Sequence, residues 1–520
     1  MTSTHNTSSD GWIMRMTRTV ERVGNKMPHS AYLFLYLMII ICVASAVCSA
    51  LGISVTYTTI GKNGAAVENT VKVFNLLSKA GISDYLTKML TEYKALTLLS
   101  QNIMLVMAFS VAEESGFFSA LMRKTLLSAP QAAVVYALCV IGVCCNICGD
   151  AGMILACSLG AITFKAIGRN PWIGGITGYA SCAAGYTANV IPASIDANLA
   201  NITQQVCDAM GIGVSVHVFS NYTFMVVSTF ILAAVCTVVC ETFLVKMMGD
   251  RKGASTPEEL DKASLIPDEE KGLRASGIAF LIFIALLLLA TVPSDGMLRN
   301  ADGTLLPKSP LMTAIVPLVF IAFITLGVTF GIAGKVIKKS KDIPVMMAQG
   351  VAKNSSTWIV FFFVSQFLYM FNTSKLATVI SVGGERFLRS VGLTGLPLML
   401  LFIVIVSIIN VFMYSASSKY LILAPIFVPM FSNLGIDPAL TQLAYRIGDS
   451  CTNSITPLNA CLIACVSILN SYRDEQYNHE EAGIGTIIAP TFVFCMALLV
   501  TFILLFIVFW YAKWPIGLGA

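Results

Sequence analysis

The stretch "RIGDSCTNSITPLN", Arg446–Asn459, lies between two apolar runs, "ALTQLAY" before it and "ACLIACVSIL" after it. On length and hydropathy the whole of 438–470 reads as one membrane span. Yet its centre carries a base, an acid, hydroxyls, asparagines and a proline. Unpaired polar groups in hydrocarbon cost several kcal/mol each, so this run cannot face lipid. Two readings remain, a loop or an unwound helix lining a protected polar cavity, and the rest of the chain must choose between them.

Working outward, the 520 residues are 56% hydrophobic and 12% charged, with mean hydropathy +0.78. Soluble domains carry roughly twice that share of charge. The composition is that of a polytopic membrane protein, and the net charge of +5 is spread over loops rather than gathered into a nucleic-acid surface. The fifteen cysteines lie mostly in apolar segments and read as small buried hydrophobes. Cys145-x-x-Cys148 has no second pair or histidine cluster to make a zinc or redox centre. No G-x-x-x-x-G-K-[ST] loop is present, so ATP is not the direct energy source.

Apolar segments fall at 31–53, 96–126, 129–168, 171–200, 216–246, 275–292, 311–334, 356–382, 393–433, 438–470 and 487–512. Two of them, 129–168 and 393–433, are long enough to enter the bilayer and return, and each is interrupted centrally by a polar tip, "NICGDAG" (Asn146–Gly152) and "YSASSK" (Tyr414–Lys419). The expected fold is an all-α polytopic membrane protein of about nine transmembrane helices plus two re-entrant helical hairpins. A cytoplasmic tail, 1–30, precedes the first half, 31–246. The charged linker 247–274 joins it to the second half, 275–512, and 513–520 forms a C-terminal tail. With the N-terminus inside, Arg123, Lys124, Arg169, the basic residues of the linker and Lys335–Lys341 all fall on the cytoplasmic side, as the positive-inside rule requires. The first hairpin then enters from the cytoplasm and the second from outside.

The halves echo one another. "FKAIGRNP" (Phe164–Pro171) and "FSNLGIDP" (Phe431–Pro438) share F-x-x-x-G-x-x-P at a separation of 267 residues (438 − 171). The same offset superposes the hairpin tips and lays "GYTANV" (Gly185–Val190) over "TNSITP" (Thr452–Pro457). With hairpins entering from opposite faces, this describes an inverted-topology repeat, whose broken helices bind substrate and ion near the bilayer midplane. The opening stretch is then an unwound segment facing a cavity.

Ionisable residues inside spans are costly, roughly 3 kcal/mol at a helix centre, and are functional candidates by default. Arg446 and Asp449 are spaced to pair on one helix face. Asp150 sits where it can cap the returning arm of the first hairpin or hold an ion. Asp196, seven residues beyond the end of the "TAN" break, is a proton carrier or an interfacial acid. Glu113, Glu114 and "FNTSK" (Phe371–Lys375) interrupt two further spans, lining the cavity or packing against the hairpins. Neutral oxygens of Asn146, Thr187, Asn189, Asn410, Thr452 and Asn453, with a carboxylate from Asp150 or Asp449, suit a hard monovalent cation, a candidate Na⁺ site.

The motifs "ERVGNKMPHSAYLF", "AEESGFFSAL" (Ala112–Leu121), "NICGDAG", "GYTAN", "LAPIFVPMF" (Leu423–Phe431), "RIGDSCTNSITPLN" and "AGIGT" (Ala482–Thr486) together resemble the AbgT family of p-aminobenzoyl-glutamate transporters. The resemblance runs in order from about residue 20 to 512. It implies nine transmembrane helices with two hairpins, a homodimer in the bacterial inner membrane, and transport of p-aminobenzoyl-glutamate or export of sulfonamide-like antimetabolites coupled to Na⁺ or H⁺. It carries functional roles onto Asp196, Ser415, Ser417, Lys419, Tyr420, Pro438, Arg446, Asp449 and Pro457, and sodium onto Asn410; Asn189 of the "TAN" break is a further substrate-binding candidate. The second tip reads "SASSKY" where many members have S-G-S-A-K-W, so Ala416 replaces glycine and Tyr420 replaces tryptophan. A sodium–dicarboxylate carrier of similar hairpin architecture is the alternative. An intramembrane enzyme finds no acid pair with a nucleophile or metal constellation, and opposed hairpins favour alternating access over a passive channel.

Overall fold

In the computed structural model, residues 30–60, 66–127, 133–250, 264–300, 302–303, 309–473 and 481–518 are described. The N-terminal tail and the middle of the expected 247–274 linker lie outside them. The helices are α1 (Ser30–Ala50), α2 (Lys79–Lys94), α3 (Thr97–Glu114), α4 (Phe117–Leu127), α5 (Val134–Cys144), α6 (Ala151–Ala166), α7 (Pro171–Ala184), α8 (Ser194–Met210), α9 (Tyr222–Val239), α10 (Pro267–Thr291), α11 (Ile315–Ala333), α12 (Asp342–Lys353), α13 (Ser355–Thr373), α14 (Leu376–Ser390), α15 (Gly395–Phe412), α16 (Ala416–Asn433), α17 (Pro438–Cys451), α18 (Cys461–Ser471) and α19 (Ile484–Ala512). A two-stranded antiparallel hairpin, β1 (Ser54–Ile60) and β2 (Ala66–Lys72), follows α1.

Seven helical stretches among the described residues are long and apolar enough to cross a bilayer. One of the seven, α15, is a hairpin arm. The remaining expected spans are each split into two helices. The pair α7/α8 replaces 171–200, and α17/α18 replaces 438–470. Similarly, 356–382 becomes α13/α14, bent by 69° at Lys375, which takes a left-handed φ of 64°. The segment 96–126 turns at Gly116, φ 86°, just after Glu113–Glu114. Those two acids pair with Lys353 of α12.

Both expected hairpins are present: α5 and α6 meet at a 3₁₀ turn (Cys145–Cys148) and the tip Gly149–Asp150, and α15 and α16 meet at Met413–Ser415. The 267-residue repeat extends through the elements that follow. α7 and α17 begin, and end, at that same offset, and so do the starts of α8 and α18. The local chemistry repeats as well. Each of α7 and α17 opens on a proline, whose missing N–H is no loss at a first helical position. Each is capped by the residue before it: Asn170 accepts from the Trp172 N–H (3.0 Å) and Asp437 from the Ala439 N–H (2.7 Å).

Every residue of α7 is buried, and in α17 all but Leu440 are. By contrast α10 buries only Gly272, Ser276 and Thr291 and exposes Leu281, Leu286 and Leu289, the pattern of a lipid-facing helix. The first hairpin is locked to α7 by small residues. A Cβ on Gly160 of α6 would overlap the carbonyl of Gly174, one on Gly174 would overlap the Gly160 carbonyl, and one on Gly178 would overlap the Ala156 carbonyl. This is close backbone packing of the small-x-x-x-small kind that replaces hydrophobic driving force within a bilayer. The second hairpin differs: α16 carries Pro425 and Pro429 in its interior. Gly178→Leu is expected to abolish monodisperse folded protein in detergent. Gly383→Ala, where a Cβ meets nothing within 4 Å, should leave the melting temperature unchanged within about a degree of the small effects usual at uncrowded sites.

Candidate functional site

Breaking a helix inside a membrane bares backbone groups that water cannot reach. In both halves an asparagine from the hairpin tip supplies the missing partners. Asn146 Nδ2 donates to the carbonyls of Tyr186 (3.1 Å) and Ala188 (2.7 Å), in the break after α7. Its Oδ1 accepts from Asn189, whose own Oδ1 takes the N–H groups of Val190 and Ile191. In the second half Asn410 Nδ2 donates to the Asp449 carbonyl, Thr452 Oγ1 (2.8 Å) and Asn453 Oδ1 (2.8 Å). Thr456 Oγ1 adds a bond back to the Val411 carbonyl (2.9 Å). The stretch 446–459 is therefore unwound only in its second part: Arg446–Cys451 remain the end of α17, the regular helix stops at the 3₁₀ turn Thr452–Ser454, and every residue of the stretch except Pro457 and Leu458 is buried.

Two buried ion pairs join these elements. The spacing of Arg446 and Asp449 suggested that they pair with each other. They do not, because each has an opposite charge presented by another element. Arg446 Nη2 binds Asp196 Oδ1 across the halves, with 2% and 1% of the two side chains exposed. Asp196 is thus buried and paired, and its Oδ2 also accepts the Ala193 N–H (2.5 Å), capping α8. Thr187 Oγ1 donates to the Arg446 carbonyl (2.6 Å), and Arg446 Nη2 reaches the Thr187 carbonyl (3.3 Å), so the "GYTAN" break is fastened to α17. Asp449 Oδ1 instead lies 2.6 Å from Lys419 Nζ of the second tip. The resemblance matched Lys419 to the second-tip motif, but the sequence did not pair it with Asp449. Its signal was that of a lone base in an otherwise apolar hairpin arm.

Between the tips lies a cavity of about 320 Å³, within the size range of small-molecule sites. Asp150, Ser415, Ser417 and Asn453 line it, together with Tyr186, Ser194, Asn198 and Tyr414. Asp150 occupies the cap position of α6 but makes no capping bond, accepting instead from the Tyr414 hydroxyl at 2.9 Å, a contact from tip to tip. Ser415 caps α16, and Ser417 accepts from Asn198 Nδ2 at 3.3 Å. Tyr420 does not line this cavity. It is buried, packed on Tyr445 at 4.3 Å between ring centroids, with its hydroxyl 2.8 Å from Thr203 of α8. Pro438 opens α17 and Pro457 follows the 3₁₀ turn Thr452–Ser454. Of the candidate sodium ligands, Asn410, Asp449, Thr452 and Asn453 come together, while Thr187 and Asn189 belong to the first break. Asn146 is committed to the first break, and Asp150 lies at the cavity edge.

Breaking a buried pair by removing one partner typically costs about 3–5 kcal/mol, because the other charge is stranded. Arg446→Leu should lower unfolding stability in detergent by that order, and Arg446→Leu/Asp196→Asn should recover part of the loss. Equal stability of the single and double variants would show that the pair is not what holds the halves.

The family model described as "AbgT putative transporter family" matches residues 15–520. The p-aminobenzoyl-glutamate transport protein of Escherichia coli K12 is 31% identical over 500 residues, 96% of this chain and 95% of that protein. Among solved structures, the antimetabolite efflux pump MtrF of Neisseria gonorrhoeae superposes with a TM-score of 0.89 at 32% identity, covering 97% of this chain and all of that one. The YdaH transporter of Alcanivorax borkumensis, described as having an unusual topology, gives 0.83 at 28%, covering 94% and 100%. With its hairpins, broken helices and the match along nearly its whole length, the chain belongs to the AbgT family of membrane transporters.

Proposed function

We propose that this protein is an ion-coupled secondary active transporter of p-aminobenzoyl-glutamate or a related aromatic, anionic small molecule, working as a homodimer in the bacterial inner membrane. The observation that carries the reading is the cavity between the two hairpin tips, whose lining elements are tied by two buried ion pairs, Arg446–Asp196 between the halves and Lys419–Asp449 within the second. Hydroxyls and amides of Ser194, Asn198, Ser415 and Ser417 offer hydrogen bonds to a polar ligand, and Tyr186 and Tyr414 offer aromatic faces. The names of the Escherichia coli and Neisseria relatives supply the substrate class, a p-aminobenzoyl amino acid in one and antimetabolites in the other. Import and export are two directions of one transport reading.

Coupling to Na⁺ or H⁺ is assigned to the cluster around Asp449. Asp449, Asn410, Thr452 and Asn453 gather a carboxylate and neutral oxygens at the junction of tip and broken helix, so an ion there responds to their relative position. One charge moving through about 100 mV supplies roughly 2.3 kcal/mol, enough to concentrate a neutral substrate nearly 50-fold.

Reconstituted protein should accumulate p-aminobenzoyl-glutamate inside liposomes under an imposed Na⁺ or H⁺ gradient and not without one. Lys419→Met/Asp449→Asn removes both charges of a pair together, a change that buried pairs tolerate far better than loss of one member. It should retain counterflow exchange of labelled substrate and lose gradient-driven accumulation. Undiminished accumulation by that variant would move the coupling site away from Asp449.

A further inference from the structure

Lys419 is 1% exposed, and every polar neighbour of its ammonium is an oxygen. Nζ reaches Asp449 Oδ1 at 2.6 Å, Asn410 Oδ1, and the Met413 carbonyl at 3.4 Å, and it lies 5.7 Å from the centre of the Tyr445 ring. A carboxylate, a side-chain amide oxygen, a main-chain carbonyl and an aromatic face form a set that would serve a free monovalent cation. Here an ammonium on a four-carbon tether takes it. The fit to an added cation fails in this arrangement. The only carboxylate of the cluster is already neutralised, the Asn410 oxygen is engaged by the same ammonium, and the Asn410 amide is spent on the Asp449 carbonyl, Thr452 and Asn453. A second positive charge beside Nζ would be repelled at low dielectric.

We infer that Lys419 is a tethered occupant of the cation site, so that its ammonium and a free monovalent cation compete for Asp449 and Asn410. The inference rests on the reading of this cluster as the coupling site and names what fills it when no ion does. Its consequence is mechanical. Nζ belongs to the first turn of α16, one turn beyond the Ser415 cap. Withdrawal of the ammonium from Asp449 therefore requires the second tip to shift away from α17 or the Lys419 side chain to swing out. Cation entry and tip position become one event, and the buried carboxylate is never left unpaired during the exchange, which avoids the cost of a stranded charge.

The test uses purified full-length protein without substrate or gradient, melted in choline, Na⁺, Li⁺ or K⁺ chloride at equal ionic strength. Wild type should melt alike in all four salts. Lys419→Met should melt several degrees below wild type in choline, because Asp449 is stranded, and regain most of that loss in at least one alkali salt. Lys419→Met/Asp449→Asn should melt alike in all four. Should Lys419→Met be recoverable as folded protein only when purified in an alkali salt, the inference is supported. It is overturned if the variant folds in no salt, if it folds but responds to none, or if wild type gains as much from an alkali cation as the variant does. Because transport is not measured, a cation response by Lys419→Met together with failed uptake of p-aminobenzoyl-glutamate would indict the proposed substrate and leave the tethered cation standing.

Discussion

A main-chain amide or carbonyl within a bilayer must find a partner in the protein itself, and this fold follows from how it meets that demand. Unwinding two helices in mid-membrane creates polar surface for a ligand, but only where another element stands ready to satisfy the freed groups. Asn146 and Asn410 do so, each from a hairpin that enters and turns back at the required depth. The hairpins are therefore not ornaments on a helix bundle. Without the tips, the breaks after α7 and α17 would be unsatisfied; without the breaks, the tips would have nothing to bind.

Charge follows the same logic. Arg446 and Asp196 come from opposite halves, as do the mutually bonded Thr187 and Arg446, so the repeat is fastened through its own symmetry-related breaks. Lys419 and Asp449 stay within the second half and join tip to helix. One pair holds the halves together and the other spans a junction between elements, although the two basic residues are alike in burial. Buried pairs are weak contributors to net stability, and their presence here is better accounted for by what they position.

Much of this was legible in the residues. Hairpin limits, the 267-residue offset and the polar interruptions follow from the length of apolar runs and from proline and glycine punctuation, which are local and periodic. Helix continuity was less legible. The bend at Lys375 rests on a left-handed lysine, and the split of 96–126 on a single glycine with positive φ. Neither is announced by hydropathy. Partner choice among charges was the part least visible. The i, i+3 spacing of Arg446 and Asp449 is a statement about one helix, whereas their actual partners, Asp196 and Lys419, lie 250 residues before the one and 30 before the other in the chain. Tyr420 shows the same limit: the substitution of the family tryptophan was readable, but its burial against Tyr445 and Thr203 was not.

The two hairpins are also unequal in stiffness. The returning arm of the first, α6, lies backbone to backbone on α7, with no room for even a methyl group to slide past. The returning arm of the second, α16, contains two prolines one turn apart, which withdraw the hydrogen bonds that the Leu421 and Pro425 carbonyls would otherwise receive. A rod with missing ties bends there under a load that leaves an intact one straight. The structure thus has one fixed rail and one spring, and the spring begins within two turns of the residue that carries the buried ammonium.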